Sequence, residues 1–116
     1  MDDRVADKAF AFAGRVVRMS QHLQKQTSAY VMSKQVLRSG TSIGANIQEG
    51  GAAQSKNDFI AKMAIASKEA RKTMYWLRLL AETDYLNEAE AKSMQAERDE
   101  LVRMPTALVK TSQGSE

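Results

Sequence analysis

The sequence contains no cysteine, one histidine and one proline in 116 residues. Without cysteine, the chain has no disulfide scaffold, no thiolate zinc site and no cysteine nucleophile. The single histidine, His22, falls on a polar helix face, which excludes a pair of histidine metal ligands and leaves any serine triad dependent on a surface residue. Gly44 and Gly50 are not followed by the Lys-Ser or Lys-Thr pair of a phosphate-binding loop. These absences predict a protein that is not an enzyme, with no cofactor and no metal site.

Long apolar runs are also missing. No stretch approaches the roughly 20 apolar residues that cross a membrane, and the acidic start at residues 1–4 leads into no signal-peptide core. The content of 43% hydrophobic and 27% charged residues, with only six glycines, is typical of a folded globular chain. We therefore expect one compact domain in a soluble cytoplasmic protein, with no membrane partner and no small-molecule substrate.

The spacing of the apolar residues predicts helices throughout and no strands. Polar or capping segments separate them: residues 26–28, a glycine pair at 50–51 that is expected to cap the second helix, Ser55 before the third helix, and Asn87 before the fourth. Short connections favour antiparallel neighbours, so the predicted fold is all-α, an up-down-up-down four-helix bundle. The predicted helices cover about residues 3–24, 29–51, 55–82 and 88–110.

The end of the chain carries two further expectations. Pro105 is expected to kink or shorten the fourth helix, because proline lacks the backbone N–H that a helix interior needs. The bundle is therefore assigned to residues 1–110, and the small, polar tail at residues 111–116 is expected to fray.

The apolar surface exceeds what one bundle needs to bury. On the first helix, the predicted core stripe is Ala6, Ala9, Phe10, Ala13, Val16, Val17 and Leu23, with Val5, Phe12 and Met19 at its flank. Apolar residues beside the stripes of the first and third helices predict an oligomer interface, although a monomer with a broad core is the alternative. The predicted interface residues are Phe12, Met19, Ile65, Trp76 and Leu79.

Positive charge is concentrated on the first three helices, while the fourth is acidic. On the first helix, basic residues fall within about 100° of one another around the axis. The third helix adds a second basic face with Tyr75 among its cations, and both faces are candidates for phosphate contacts. The alternative is a solvated surface paired with the acidic fourth helix. The predicted nucleic-acid contacts are Arg4, Lys8, Arg15, Arg18 and Lys25, with His22 beside them, and Lys68, Arg71, Lys72 and Arg78.

Two segments carry a family resemblance. The stretch 38–50 reads Arg-Ser-Gly-Thr-Ser-Ile-Gly-Ala-Asn-Ile-Gln-Glu-Gly, and a second block runs from Phe59 through the Thr-Met-Tyr-Trp-Leu segment at 73–77 to Tyr85 and Leu86. Together they resemble the four-helix-bundle proteins encoded in intervening sequences of bacterial 23S ribosomal RNA genes. The departures are Gln48, where that family usually has alanine, and the proline at 105. The motif residues are Ser42, Ile43, Asn46, Ile47, Glu49 and Gly50.

The resemblance implies a four-helix bundle that assembles into a homopentameric barrel and has no enzyme activity. It also implies kinship with the accessory protein of diversity-generating retroelements, which binds nucleic acid and a reverse transcriptase. Within the motif, Asn46 and Glu49 lie three residues apart on one turn. They form either a buried polar clamp that fixes the register of the bundle or a site that touches a ligand or partner.

Two functional hypotheses follow from the sequence. The first is a basic oligomeric protein that binds structured RNA, or an RNA–protein complex, through shape and phosphate contacts. The second is a protein-binding scaffold or adaptor, with Phe12, Met19, Trp76 and Leu79 as docking residues and with incidental basicity. No sequence pattern of a base-reading module is present, so the sequence leaves specificity open.

Overall fold

Four helices account for almost all of the described structure. The computed structural model describes residues 3–25 and 29–114, and side chains within residues 4–110 except 26–28 and 108. No described residue lies in a strand, so the prediction of an all-α chain with four helices is confirmed. In chain order the helices are α1 (Asp3–Leu23), α2 (Tyr30–Gly51), α3 (Lys56–Glu82) and α4 (Glu88–Gly114).

Side-chain caps begin α3 and α4 where the sequence predicts them. Ser55 Oγ accepts a hydrogen bond from the Asp58 N–H at 3.0 Å, and Asn87 Oδ1 accepts from the Glu90 N–H at 2.8 Å. Each bond satisfies an amide that has no partner within its own helix. Between these helices Asp84 adopts a φ of 67°, a left-handed conformation that aspartate tolerates better than most residues.

The end of α2 differs from its prediction. None of the described glycines has a positive φ, so Gly50 and Gly51 do not form a left-handed cap. The helix ends instead at Ala52, with a φ of −98° and an N–H that donates to Glu49 O at 3.2 Å. Gly50 is buried, and a Cβ placed there would lie 2.3 Å from Met63 Cε. The absence of a side chain at Gly50 therefore allows α2 to pack closely against α3.

The buried side of α1 is rotated from the predicted stripe. Phe10 and Val17, predicted for the core, are 79% and 37% exposed, whereas Phe12 and Met19, predicted for an oligomer interface, are buried within the single chain. The buried set follows alternating steps of four and three and contains the larger side chains, so it removes more apolar area from water. The buried residues of α1 include Val5, Ala9, Phe12, Val16, Met19 and Leu23.

Small residues bring α1 and α2 close together. A Cβ built on Gly40 would lie 2.8 Å from Val16 Cγ2, and one on Gly44 would lie 3.3 Å from the Ala9 carbonyl oxygen. Further along the same contact, the buried hydroxyls of Ser20 and Ser33 are 2.7 Å apart. Gly40 and Gly44 therefore permit the close approach of α1 to α2.

Pro105 does not shorten α4, which continues to Gly114. Its ring is buried and lies with Ile60 and Met63 of α3 around a cavity of about 250 Å³. Proline removes a single backbone hydrogen bond, to the Leu101 carbonyl, and burial of its ring compensates for part of that loss. The backbone at residues 111–114 is helical, and the fraying of the tail at 111–116, which extends outside the described residues, stays a prediction.

None of the helices in the described part of the chain combines the length and the apolar character needed to span a membrane.

Candidate nucleic-acid interface

The basic face of α3 consists of Lys68, Arg71, Tyr75 and Arg78, which follow one another at steps of three, four and three residues. This spacing places the four side chains on one side of the helix, and all four are exposed. Arg71 is held only by a hydrogen bond to Ser67 Oγ at 3.3 Å, within the same helix. Among the described residues, none of its three cations has an acidic partner. The positive charge of this face is therefore directed to solvent.

Lys72 behaves differently from the other cations predicted on α3. Its Nζ lies 3.3 Å from Glu69 Oε1, and the Glu69 side chain is only 15% exposed. Glu69 lies on a different side of α3 from the basic face, whereas Glu82, four residues after Arg78, lies on the same side. The three cations outnumber this one carboxylate, so the basic face of α3 keeps a net positive charge.

Tyr75 stands in the middle of the basic face, with 62% of its surface exposed. Its ring meets the Trp76 ring edge to face, with centroids 5.1 Å apart and planes at 80°. Trp76 in turn packs against the hydrophobic core. Such edge-to-face contacts are favourable, so the contact with Trp76 orients an aromatic side chain that remains open to solvent.

The basic residues of α1 are partly neutralised by α4. Lys8 Nζ lies 2.8 Å from Glu100 Oε2. Arg15 pairs with Glu97 and donates to Ser93 Oγ at 2.9 Å. These contacts match the alternative in which a solvated basic stripe is paired with the acidic fourth helix.

The remaining basic residues of α1 are exposed. Within the described ranges, Arg18 and Lys25 make no ion pair, and the Arg18 guanidinium lies over Gly14. Arg4 is exposed and has a contact of its own. The free positive charge of α1 is therefore concentrated toward its carboxyl-terminal end.

The ion pair between Lys8 of α1 and Glu100 of α4 changes the pKa of the carboxyl group. The hydrogen bond from Lys8, and then its positive charge, lower the pKa of the Glu100 carboxyl below its ordinary value of 4.5. Both partners are about half exposed, so water and salt screen the pair.

The structure does not join the basic residues of α1 and α3 into one surface. Both helices pack mainly on α2 and α4 rather than on each other. Lys8 and Arg15 of α1 pair with Glu100 and Glu97 of α4. Arg71 and Arg78 of α3 line grooves together with other residues of α4. The two predicted groups of phosphate contacts therefore flank α4.

A groove of about 560 Å³ lies where the end of α1 approaches the turn between α3 and α4. His22 lines it and is exposed, as the sequence predicts. Arg15 and Arg18 contribute positive charge to the groove, and Glu90 contributes a negative charge. In the described part of the chain, no three histidine or acidic side chains are grouped to hold a metal ion.

The comparison with known proteins identifies the family. The family model of the 23S rRNA-intervening sequence protein matches residues 1–107. The chain belongs to this family. A crystal structure of a protein of unknown function from the S23 ribosomal protein family of Bacteroides thetaiotaomicron VPI-5482 is 45% identical in sequence, with a TM-score of 0.88. That match covers 91% of this chain and 98% of the other. No curated protein matches the chain.

The motif of the 23S rRNA-intervening sequence family is mostly structural in this chain. Ile43, Ile47 and Gly50 are buried. Asn46 Nδ2 donates to Ser42 O at 2.9 Å and to Ser42 Oγ at 3.2 Å, so its amide is satisfied within α2. Glu49 is exposed.

The polar contact between α2 and α3 is made by residues outside the motif pair. Thr73 Oγ1 donates to Ser39 Oγ at 2.9 Å, and both residues are buried. Reasoning from the sequence missed this pair, because it requires the relative register of two helices. The signal in the sequence was a hydroxyl residue on α2, Ser39, and another on α3, Thr73, each close to apolar residues of its helix.

The apolar surface of this family member lies elsewhere than predicted. Phe12 and Met19 are buried in the core of the single chain and so do not lie on its surface. Ile65 is 40% exposed, and Trp76 and Leu79 are partly buried. Phe10 and Val17 were predicted for the core but are exposed, because two apolar stripes run along α1 and only one of them faces the other helices.

Proposed function

We propose that this member of the 23S rRNA-intervening sequence family is a non-enzymatic protein that binds structured RNA, and that the basic face of α3 makes the main phosphate contacts. The observation that carries the proposal is the set of three cations without acidic partners around an exposed tyrosine. Each phosphate neutralised by such a cation releases counterions and adds to the affinity. Arg18 and Lys25 of α1, together with Arg4, supply secondary contacts, while Lys8 and Arg15 serve the α1–α4 pairing.

The assembly that we propose is an up-down-up-down bundle that forms a homopentameric barrel, as the family resemblance implies. Contacts between neighbouring helices support the alternating directions, because Ala9 contacts Gly44 whereas Ser20 contacts Ser33. The exposed Phe10 and Ile65 support a further assembly step. Contacts between unlike surfaces close into rings when the rotation permits, and such a ring removes apolar side chains from water.

Fluorescence anisotropy with a labelled fragment of 23S ribosomal RNA tests the RNA interface, at salt concentrations from about 50 to 200 mM. The variant carries Lys68→Gln, Arg71→Gln and Arg78→Gln. Since each phosphate contact contributes about 0.7 to 0.9 to the slope of log affinity against log salt, we expect the slope to fall by about 2 to 3. The affinity at the lowest salt should fall with it.

The matched control removes three positive charges from other helices, through Lys8→Gln, Lys34→Gln and Lys92→Gln. Each of these lysines already contacts a carboxylate or a ring of its own chain. The net charge is the same in both variants, so a general electrostatic effect would weaken binding equally. Equal losses would overturn the assignment to α3, and an unchanged slope in the first variant would remove that face from the interface.

A protein-binding scaffold or adaptor is the second candidate, and the 79% exposure of Phe10 is the observation that favours it. Val17, seven residues later on the same side of α1, is exposed as well, and neighbouring exposed apolar side chains mark a surface that a partner covers. If the RNA fragment fails to bind at the lowest salt, this candidate replaces the first. Binding to a protein partner should then depend weakly on salt and strongly on Phe10→Ala.

A further inference from the structure

We propose that the basic face of α3 selects single-stranded RNA over duplex RNA, by stacking an unpaired base on Tyr75 while the neighbouring cations hold the flanking phosphates. This inference rests on the proposed function and adds which part of a structured RNA the face takes, namely its unpaired segments. It differs from recognition by charge alone, because charge alone favours any polyanion.

The order of residues on α3 fits a short strand. Arg71 and Arg78 flank Tyr75 at distances of four and three residues, which is about 5 to 6 Å along the helix axis on either side. Lys68 extends the face by one more turn, so the cations span about 15 Å. A strand that runs along the helix therefore meets a cation, an aromatic ring and another cation in succession.

Stacking requires an aromatic face that a base can reach. Tyr75 is 62% exposed, and its contact with Trp76 is edge to face. Trp76 is anchored against the core, so the tyrosine is oriented before RNA binds. A base in a duplex is already stacked on its neighbours and cannot lie on the ring, whereas an unpaired base can.

The other exposed tyrosine of the described chain lacks these features. Tyr30 is 47% exposed, but Lys34 Nζ lies 4.7 Å from the centre of its ring and occupies it as a cation–π partner. No cation triad on the same helix face surrounds it. Tyr30 is therefore the matched control for Tyr75.

The experiment uses the only tryptophan of the protein as an unlabelled reporter, because Trp76 contacts Tyr75. The wild type is titrated with a twelve-nucleotide oligoadenylate and, separately, with a duplex RNA of the same length, at one salt concentration. Trp76 emission reports on events at Tyr75, and anisotropy of labelled RNA reports on overall affinity. We expect tighter binding of the single strand, and a change in Trp76 emission with the single strand only.

Tyr75→Ala should weaken binding of the single strand by about five- to 150-fold, the effect of losing one stacked base. Tyr75→Ala should leave the affinity for the duplex unchanged. Tyr30→Ala should leave the affinity for both RNAs unchanged. Tyr75→Phe keeps the ring and should retain the preference. Thermal unfolding of each variant checks that the fold is intact. We expect it to be intact because both tyrosines are exposed.

Two results would overturn the inference: equal affinity of the wild type for the two RNAs, or single-strand affinity unaffected by Tyr75→Ala. If either occurs while the Lys68, Arg71 and Arg78 triple variant still loses affinity, the proposed function stands and base stacking fails. If the triple variant binds both RNAs as the wild type does, the α3 interface fails together with the inference.

Discussion

At the scale of single residues, the absence of a side chain sets the distance between α1 and α2. A methyl group at Gly40 would meet both methyls of the buried Val16, at 2.8 and 2.9 Å. Adding bulk to a filled core costs about 1 to 3 kcal/mol, which exceeds the gain in helix propensity. We therefore expect Gly40→Ala to lower the free energy of unfolding, measured by urea denaturation.

Gly14→Ala is the matched substitution on α1. The new Cβ would have Arg18 Nη1, the end of a flexible side chain, as its nearest neighbour at 3.4 Å. This variant should raise the free energy of unfolding by about 0.5 to 1 kcal/mol, since glycine in a helix is destabilising relative to alanine. A stabilising Gly40→Ala would show that α1 and α2 are not in close contact at Val16.

The buried hydroxyl pair of Ser39 and Thr73 gives a second residue-scale prediction. Thr73→Val leaves the Ser39 hydroxyl without its 2.9 Å partner in the core. An unsatisfied buried polar group costs about 1 to 3 kcal/mol, whereas removing both partners costs less than the sum of the single changes. A double-mutant cycle with Ser39→Ala, followed by urea denaturation, measures this coupling. Strictly additive losses would mean that the hydroxyls do not interact.

At the scale of elements, α4 carries a proline in its interior. Pro105 leaves the Leu101 carbonyl without its helical donor, and such a proline costs about 3 kcal/mol in an ordinary helix. Pro105→Ala restores that donor but gives up part of the ring packing against α3. We expect a net stabilisation of about 1 to 3 kcal/mol, seen as a higher midpoint in thermal unfolding. Thr106→Ala, at an exposed neighbouring position, should change the midpoint little; a destabilised Pro105→Ala would mean that packing dominates.

The pairing of α1 with α4 predicts a dependence on pH. Because Lys8 lowers the pKa of Glu100, the pair stabilises the fold above the ordinary carboxyl pKa, and the contribution is lost as the pH falls through the lowered value. Lys8→Met should therefore reduce the free energy of unfolding at pH 7. The difference from the wild type should shrink as the pH falls through the lowered pKa of Glu100.

A titration of Glu100 followed by NMR checks the cause of this pH dependence. In Lys8→Met the pKa of the Glu100 carboxyl should return toward 4.5. A pKa that stays low in the variant would assign the shift to another positive charge, such as that of Arg103, which also lowers it.

At the scale of the whole molecule, the exposed stripe of α1 predicts an effect on assembly. Phe10→Glu places a charge where an oligomer interface would bury an apolar ring, which is costly. The particle mass from light scattering should fall toward the 12.9 kDa of one chain. Ala11→Glu, an exposed position of the same helix about 100° around the axis from Phe10, is the control for charge. An unchanged mass for Phe10→Glu would move the interface away from this stripe.

The sequence predicted those parts of the molecule that depend on local chemistry. The starts of α3 and α4 follow from Ser55 and Asn87, whose hydrogen bonds lie within a single turn. The buried side of α1 was predicted only in part: Ala9, Val16 and Leu23 are buried, but Phe10 and Val17 are exposed. Two apolar stripes of helical spacing compete there, and only contact with the other helices selects one. The pairing of Lys8 with Glu100 likewise depends on how far one helix slides along another.

For the candidate site, the positions of the charges follow from the sequence, and the structure shows which of them are paired. The basic faces of α1 and α3 were predicted from spacing alone, which is a property of each helix. Which cations are neutralised depends on the acidic neighbours across α1 and α4, so helical spacing cannot tell Lys8 from Lys68. The importance of Tyr75 follows from its exposure, which depends on the packing of its neighbour Trp76.

The seam between α1 and α4 is crossed at the surface by the ion pairs of Lys8 with Glu100 and of Arg15 with Glu97. The contact between α1 and α4 is therefore sensitive to ionic strength. Because α4 is the last helix of the chain, it can separate from α1 without unfolding the contact between α2 and α3. Hydrogen exchange should accordingly accelerate first in α4 as salt rises, and a salt titration of RNA binding will record the loosening of this seam together with the release of phosphate contacts.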